Sequence, residues 1–310
     1  MNVAVTGLST GSETAAGIAV LKALRLANVE RLVGLTTSAL EVGAYQEDLL
    51  DAAYLVPPLH ERSSFLDRLA QIKTEGGLDA VIPAVDDDVR RMCAMAAELE
   101  DIGIRALLPG ERVLTDLWQG RFPAPASGDR KQPEGTLRGS LPALVKSPVQ
   151  SVSGQRNVLE DEFSVCVLAE RGHSAAAVTT IKKLLTSRGG STWMALSVDG
   201  GELAETAVAL VADSGWTGPL TLDFIRNERG APFLTALHPR FPDWINFPAA
   251  EGLNLPGILL DILSGRETES PRPAPPSGRL FVRTAIDIVT DISRFGTFSL
   301  TGEIRYDDRK

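Results

Sequence analysis

The chain has few cysteines, few histidines and no excess of positive charge. Its 310 residues include two cysteines, Cys93 and Cys166, and three histidines. These residues lack the spacing of a zinc site, and two isolated cysteines favour buried free thiols in a reducing compartment. Acidic residues outnumber basic residues by 40 to 31. A nucleic-acid-binding surface favours a basic face, because neutralised phosphates release counterions. We therefore expect no nucleic-acid partner.

Long apolar runs are also absent from the sequence. No run approaches the roughly 20 residues that a membrane helix needs. The N-terminus enters a strand pattern directly and shows no basic and apolar signal peptide. These features predict a cytoplasmic protein with no membrane partner. Hydrophobic residues make up 44% of the chain, which is enough to form the cores of two domains.

Short apolar runs alternate with helical patterns over the first third of the chain. The pattern predicts a helix around Phe65, Leu69 and Ile72. It predicts a second helix that starts at Asp86–Asp88, where acidic side chains suit the helix dipole, and runs to about Glu100. The alternation predicts an open parallel-sheet, Rossmann-like domain over residues 1–119. The strands of this domain are predicted in NVAVTGL, RLVGLTT, AAYLVPP, DAVIPAV and IRALLP.

The turn after the first predicted strand reads GLSTGSETAAG. A glycine-containing turn before a helix binds phosphate in dinucleotide domains. The spacing of Gly7, Gly11 and Gly17 does not fit GxGxxG, and Glu13 would lie near any bound phosphate. This disfavours a dinucleotide-dependent oxidoreductase. Close packing of the strand against the helix is the favoured interpretation.

Residues 120–140 are rich in proline, glycine and charge, which predicts a flexible linker. The remainder, 141–310, predicts a shortened α+β domain with mostly antiparallel strands. Its strands are predicted in LPALVKSP, EFSVCVLAE, SAAAVTTIKKLL, STWMALSVDG, PLTLDFIRNERGAPFLTAL, RLFVRTAIDIV and FSLTGEIRY, and its helices in GELAETAVALVADSG and AAEGLNLPGILLDILSG. The predicted fold class is therefore α/β, followed by α+β.

In motif order, the chain resembles ATP-grasp proteins of the carbamoyl-phosphate-synthase type. The N-terminal strands and helices resemble the pre-ATP-grasp domain of that family. LPALVKSPVQSVSGQ resembles the strand and phosphate loop, and GWTGPLTLDFIRNERGAPFLTALHPRF resembles the metal-binding hairpin. AAEGLNLPGILLDIL resembles the helix that follows. The resemblance implies a pre-ATP-grasp domain and then a truncated ATP-grasp-like domain.

The resemblance implies a nucleotide site for ATP. Lys146 matches the lysine that contacts ATP phosphates, a task that suits a compact ammonium group. The loop with Ser151, Ser153 and Gly154 offers backbone N–H groups to a phosphate. Lys183 lies where the family places basic residues on the strands that cover the cleft. A solvated basic strand is the alternative interpretation for Lys183.

The metal site and the catalytic arginine are implied in the same way. Asp223 matches the first ligand of Mg²⁺, a hard cation that prefers oxygen. Arg240 matches the arginine that contacts the acyl phosphate. The family's Glu-x-Asn-Pro-Arg pattern departs here, because Ala236 replaces the glutamate and His238 the asparagine. Either Asp243 reaches the metal in place of the glutamate, or the metal does not bind.

The nucleotide-binding part of the chain is also short. Only RNVLED separates Ser153 and its neighbours from the next predicted strand, and Leu117 follows Asp116 where the family has a lysine. These departures predict a degenerate ATP-grasp-like protein that is non-catalytic or binds nucleotide weakly. Such a protein would act with a partner enzyme, a peptide or a small molecule, and a homodimer is left open. The alternative is an active ATP-dependent ligase that joins a carboxylate to an amine or thiol through an acyl phosphate.

Overall fold

The computed structural model describes residues 1–9, 15–121, 161–170, 174–226, 232–266 and 275–306. Four predicted nucleotide contacts, Lys146, Ser151, Ser153 and Gly154, lie outside these ranges, as do most of the predicted linker and the strand LPALVKSP. The turn of the predicted metal-binding hairpin also lies outside them.

The described helices and strands follow the predicted order over most of the chain. Apart from a 3₁₀ helix at Val42–Tyr45, the elements are β1 (Asn2–Val5), α1 (Ala16–Arg25), β2 (Arg31–Thr36), β3 (Ala52–Leu55), α2 (Arg62–Gly76), β4 (Ala80–Ile82), α3 (Asp86–Ala94), α4 (Ala96–Asp101), α5 (Glu111–Trp118), β5 (Asp161–Glu170), β6 (Ser174–Thr186), β7 (Thr192–Ser197), α6 (Gly201–Ser214), β8 (Gly218–Arg226), β9 (Pro232–His238), α7 (Asn246–Ala250), α8 (Leu255–Leu263), β10 (Leu280–Val282), α9 (Ile292–Thr301) and β11 (Glu303–Arg305).

The chain forms two compact units, which we call the first and second units. The first unit comprises Met1–Leu108, Arg240–Glu267 and Thr284–Lys310, and the second comprises Pro109–Pro239 and Thr268–Arg283. The predicted division into 1–119, 120–140 and 141–310 follows the order along the chain and stays a prediction.

The first unit contains the predicted parallel sheet. Its strand order, over the described residues, is β11-β3-β2-β1-β4, and β1 to β4 run parallel. Buried strands of this kind read as continuous apolar runs, which is why they are recognisable in the sequence. Phe65, Leu69 and Ile72 of α2 are buried, and the helix ends at Gly77, whose φ is 73°. The predicted Rossmann-like arrangement is therefore confirmed.

The second unit contains the predicted antiparallel sheet. Among the described residues its strand order is β10-β7-β6-β5-β8-β9, with every neighbouring pair antiparallel. The helix α6 packs against β5 and β6, and it ends at Gly215 as predicted, with a φ of 69°. Cys166 in β5 and Cys93 in α3 are buried thiols that form no disulfide, also as predicted. No helix of the described residues is long and apolar enough to cross a bilayer.

Four predicted elements, two in the first domain and two at the C-terminus, differ from the structure. The segment IRALLP forms only an isolated bridge, between Arg105 and Ala80. The helix predicted from Asp86 to about Glu100 is interrupted at Met95, between α3 and α4. In RLFVRTAIDIV only Leu280–Val282 forms a strand, and most of the apolar side chains that follow are exposed.

The last predicted strand, FSLTGEIRY, is helical over Phe298–Thr301 and forms a strand only over Glu303–Arg305. The Asp291 side chain caps α9 by accepting the Ser293 N–H at 2.7 Å, and Gly302 ends the helix with a φ of 74°. These two end signals outweigh the strand preference of the aromatic and β-branched residues between them. Only β11 remains a strand, and it pairs antiparallel with β3 in the first unit.

Gly17 lies where α1 approaches the end of β1. Its N–H donates to the Gly7 carbonyl at 3.2 Å. A Cβ at Gly17 would lie 2.7 Å from that oxygen and closer still to the Thr6 carbonyl oxygen. Both neighbouring atoms belong to the backbone and cannot rotate away. The structure thus supports close strand-to-helix packing as the role of this glycine.

We predict that Gly17→Ala lowers the free energy of unfolding by about 1–3 kcal/mol, because the added methyl group overpacks the turn. Urea denaturation followed by circular dichroism measures the change. Gly296→Ala is the matched control, since a Cβ in this position of α9 meets no atom within 4 Å. That control should be neutral or stabilising by up to about 1 kcal/mol. Equal effects of the two substitutions would contradict the packing argument.

Candidate functional site

The strand register of the second unit places several polar residues on one face of the sheet. Ser164 on β5 lies opposite Asp223 on β8, and Asp223 lies opposite Ala236 on β9. Residues that pair across strands share a face, as do residues two positions apart along a strand. Lys183 lies two positions beyond Ile181, which pairs with Ser164. Lys183 therefore belongs to the same face, which we call the Asp223 face.

Two side chains bind the carboxylate of Asp223 directly. The Lys183 Nζ donates to Oδ2 at 2.7 Å, and the Ser164 hydroxyl donates to Oδ1 at 2.6 Å. The side chains of Lys183 and Asp223 are only 9% and 21% exposed. Because β5 lies between β6 and β8, the lysine stem spans one complete strand to reach its partner. Both carboxylate oxygens thus accept a hydrogen bond inside a largely buried ion pair.

The hydrogen-bond and charge environment determines the ionisation of Asp223. Burial on its own would raise the pKa of this carboxyl group. The positive charge of Lys183 and an electrostatic contribution from His238, together with the hydrogen bonds from Lys183 and Ser164, outweigh burial and lower the pKa of Asp223 below its ordinary value. Asp223 is therefore ionised at neutral pH, with its charge balanced by groups of the same unit.

A β-bulge lies next to Asp223 in the pairing of β8 with β9. The pairing of β8 with β9 shifts register between Asp223 and Phe224, so that Thr235 is the extra residue on β9. The Thr235 hydroxyl donates to the backbone carbonyl of Asp223 at 3.0 Å. Bulges disrupt the ladder locally and redirect side chains. The regular register before the bulge places the methyl group of Ala236 opposite Asp223, and the bulge begins directly after this pair.

The residues of this face do not fit the Mg²⁺ site that the resemblance implies. Mg²⁺ demands near-octahedral oxygen coordination. Asp223 has both oxygens engaged, Ala236 has no ligand atom, and His238 offers an imidazole nitrogen. Over the described residues, no group of three or more His, Cys, Asp or Glu side chains is arranged to hold a metal ion. The role of Asp243 as the alternative metal ligand stays a prediction.

Arg240, the predicted catalytic arginine, belongs to the first unit and contacts Asp86. Its Nε donates to Asp86 Oδ1 at 2.6 Å, and its Nη1 donates to the Phe241 carbonyl at 3.1 Å. Asp86 begins α3, as the sequence predicts. The other two aspartates of this run also have partners, since Asp87 pairs with Arg91 and Asp88 accepts the Thr6 hydroxyl. The catalytic role of Arg240 stays a prediction.

Comparison of the structure with solved structures finds carboxylases. Biotin carboxylase from Campylobacter jejuni, solved as a β,γ-ATP complex, is 11% identical, with a TM-score of 0.56 over 87% of this chain and 72% of that chain. The biotin carboxylase subunit of a pyruvate carboxylase is 14% identical, with a TM-score of 0.52 and coverage of 87% and 71%. The chain has the ATP-grasp architecture of biotin carboxylase. The ATP-grasp resemblance read from the sequence is thereby confirmed for the fold.

Larger carboxylases share this ATP-grasp architecture within longer chains. Rhizobium etli pyruvate carboxylase, solved with the allosteric activator acetyl coenzyme A, is 12% identical with a TM-score of 0.54. This chain spans 27% of that protein and 29% of a single-chain, multi-domain long-chain acyl-CoA carboxylase. No protein-family model and no curated protein sequence matches the chain. The ATP-grasp relationship is therefore one of fold.

The sequence analysis places Asp223 and Ala236 in one metal-binding hairpin and Lys183 on the strands that cover the same cleft, but it does not predict the contact of Lys183 with Asp223. It missed Ser164, which lies inside the apolar run EFSVCVLAE. The signal for Ser164 is its strand register, because it pairs with Asp223 on one side and Ile181 on the other. Lys183 was expected to contact a nucleotide, and the structure places its ammonium group on Asp223. Nucleotide contact by Lys183 stays a prediction.

We predict that Asp223→Asn lowers the free energy of unfolding by about 3 kcal/mol at pH 7, because it leaves the Lys183 ammonium buried and unpaired. The pKa of Asp223 is lowered in the folded state, so its stabilisation is fully present above the ordinary carboxyl pKa. The stabilisation is lost as the pH falls through the folded-state pKa. The difference between wild type and variant should therefore shrink towards acidic pH in urea denaturation series.

Asp161→Asn is the matched control for this prediction. Asp161 pairs with Lys182, the residue before Lys183, but its side chain is 54% exposed. Exposed ion pairs contribute about 0–1 kcal/mol, so the control should change stability little at any pH. Equal losses in the two variants, or a loss in Asp223→Asn that does not depend on pH, would contradict the assignment.

We predict that Arg240 and Asp86 are energetically coupled within the first unit. A double-mutant cycle with Arg240→Met and Asp86→Asn should give a coupling free energy of about 0.5–1 kcal/mol in denaturation experiments. The same cycle with Asp87→Asn should give none, because Asp87 binds Arg91 at 2.6 Å. Equal coupling to both aspartates would show that the Arg240 contact is nonspecific.

Proposed function

We propose that the chain is an ATP-grasp-like module that does not catalyse ligation and that acts by binding a ligand or a partner protein. One observation carries this proposal. The carboxylate in the first metal-ligand position, Asp223, is neutralised by Lys183 at 2.7 Å and lies opposite Ala236. The negative charge at the first metal-ligand position is therefore neutralised by a side chain of the protein itself.

Energetics make this arrangement unfavourable for phosphoryl transfer. The reaction depends on metal ions that bridge the phosphates and neutralise the charge that develops on them. Removing one group that stabilises transition-state charge commonly costs about 3–4 kcal/mol, or a factor of 10² to 10³ in rate. Binding a cation at Asp223 would also displace Lys183 from its partner, and an unpaired buried ammonium costs several kcal/mol. The missing metal ligand and the cost of displacing Lys183 both oppose catalysis.

A partner is proposed because the same architecture occurs as part of larger carboxylases. The solved neighbours include multi-domain chains of which this chain spans about a quarter. A module that has lost its own metal ligand can still provide a binding surface for another domain, a peptide or a small molecule. The proposal of a partner rests on similarity of fold and not on the chemistry of particular residues.

The alternative function is an active ATP-dependent ligase that works through an acyl phosphate. The observation in its favour is the retention of Asp223 at the strand position of the first metal ligand and of Arg240 two residues after His238. Under this alternative Lys183 would leave Asp223 when ATP and Mg²⁺ bind. Titration of the purified protein separates the two functions.

We expect isothermal titration of ATP with Mg²⁺ to give no binding tighter than about 1 mM for the wild-type chain, which corresponds to roughly −4 kcal/mol. Ala236→Glu should bind more tightly, because it restores a carboxylate opposite Asp223 and gives Lys183 a second acceptor. Phe233→Glu is the matched control. It adds the same charge to β9 at a side chain that is 44% exposed.

Micromolar binding by the wild-type chain, together with ATP hydrolysis above the uncatalysed rate, would overturn the proposed function in favour of the ligase. If Ala236→Glu and Phe233→Glu change the affinity equally, the gain comes from added charge in general and the assignment of Ala236 fails. Absence of binding in all three proteins would support a module whose ligand is not a nucleotide.

A further inference from the structure

We propose that Lys183 is a built-in cation that takes the place of a divalent metal, so that the Asp223 face operates without Mg²⁺. The inference deepens the proposed function and rests on it. It assigns Lys183 a role other than the nucleotide contact predicted from the sequence. It also makes the lysine and a metal ion competitors for one carboxylate.

The geometry of the Lys183–Asp223 ion pair supports this inference. Lys183 Nζ lies 2.7 Å from Asp223 Oδ2, which is the oxygen that Ser164 leaves available. The lysine side chain is 9% exposed, and strand alternation directs it onto the Asp223 face. Its neighbour Lys182 points to the opposite face, where it pairs with Asp161 and is 31% exposed. The inward direction of Lys183 is thus specific to its strand position.

The side chains around Asp223 give a metal ion few ligands. Mg²⁺ in nucleotide sites commonly takes one or two protein carboxylates and fills its other positions with water and phosphate, and here Ala236, at the facing position on β9, offers no second carboxylate. The Ser164 hydroxyl uses its proton on Asp223. A metal would have to displace the ammonium group and would gain no carboxylate in return. The lysine, by contrast, satisfies the charge of Asp223 with a group that is always present.

Lys183 balances the charge of Asp223 without a metal ion. A largely buried carboxylate without a counter-ion is strongly destabilising, and removing one member of a buried pair costs more than removing both. In a metal-dependent site the ion supplies the positive charge only when it binds. Here Lys183 supplies it permanently, so folding of the second unit does not depend on metal. A ligand of this face consequently meets a neutral ion pair rather than a bound cation.

Mn²⁺ binding in the absence of nucleotide tests this inference. Mn²⁺ is the probe because its paramagnetic signal reports binding directly in titrations of the full chain. The wild-type protein and Lys182→Met should show no specific Mn²⁺ binding and no shift in melting temperature. Lys183→Met should lose stability without metal, and Mn²⁺ should then bind roughly tenfold or more tightly than to wild type and raise its melting temperature. Lys183→Met/Asp223→Asn should lose both responses.

Lys183→Gln provides a second variant that keeps a hydrogen-bond donor, in case the methionine variant does not fold. Mn²⁺ binding by the wild-type chain that Asp223→Asn abolishes would overturn the inference. So would equal Mn²⁺ binding by the Lys183 and Lys182 variants. The proposed function fails by a different readout, namely ATP binding and hydrolysis. If ATP does bind, equal affinity in EDTA and in Mg²⁺ would support the inference, and binding only with Mg²⁺ would overturn it.

Discussion

The register of β8 between β5 and β9 is the constraint on which the candidate site depends. It places Asp223 beside Ser164 on one strand and beside Ala236 on the other. A shift by one residue would turn every side chain of β8 to the other face of the sheet. Leu222 and Phe224, which are buried on the face opposite Asp223, oppose such a shift. The apolar packing of one face therefore holds the polar arrangement of the other.

Much of the fold could be predicted because its signals are local. The parallel strands are apolar runs, and Gly77 and Gly215 end helices in left-handed conformations. The C-terminal prediction failed because the Asp291 cap and Gly302 outweighed a strand-like composition. The ATP-grasp architecture was recognisable from the order of the motifs, but the contact of Lys183 with Asp223 was not. That contact joins β6 to β8 across β5, and only the three-dimensional register reveals it.

The three ionisable site residues that the ATP-grasp resemblance singles out and that the structure describes, Lys183, Asp223 and Arg240, all have partners within their own unit. Asp223 is bound by Lys183 and Ser164, and Arg240 is bound to Asp86. Residues that serve chemistry on a substrate commonly carry perturbed ionisation, but so do structural ion-pair networks. A residue that matches a family motif is therefore weak evidence of activity on its own. The group that its side chain contacts is stronger evidence.

The pairing of β11 with β3 has a consequence for how the chain folds during synthesis. β11 covers the outer edge of β3, and nearby the Tyr306 hydroxyl donates to the Ala44 carbonyl across 262 positions of sequence. An uncovered strand edge is a template for pairing with other chains. The ribosome must therefore complete the entire second unit before this edge is covered. Until then the nascent first unit carries an open strand edge that can pair with another chain.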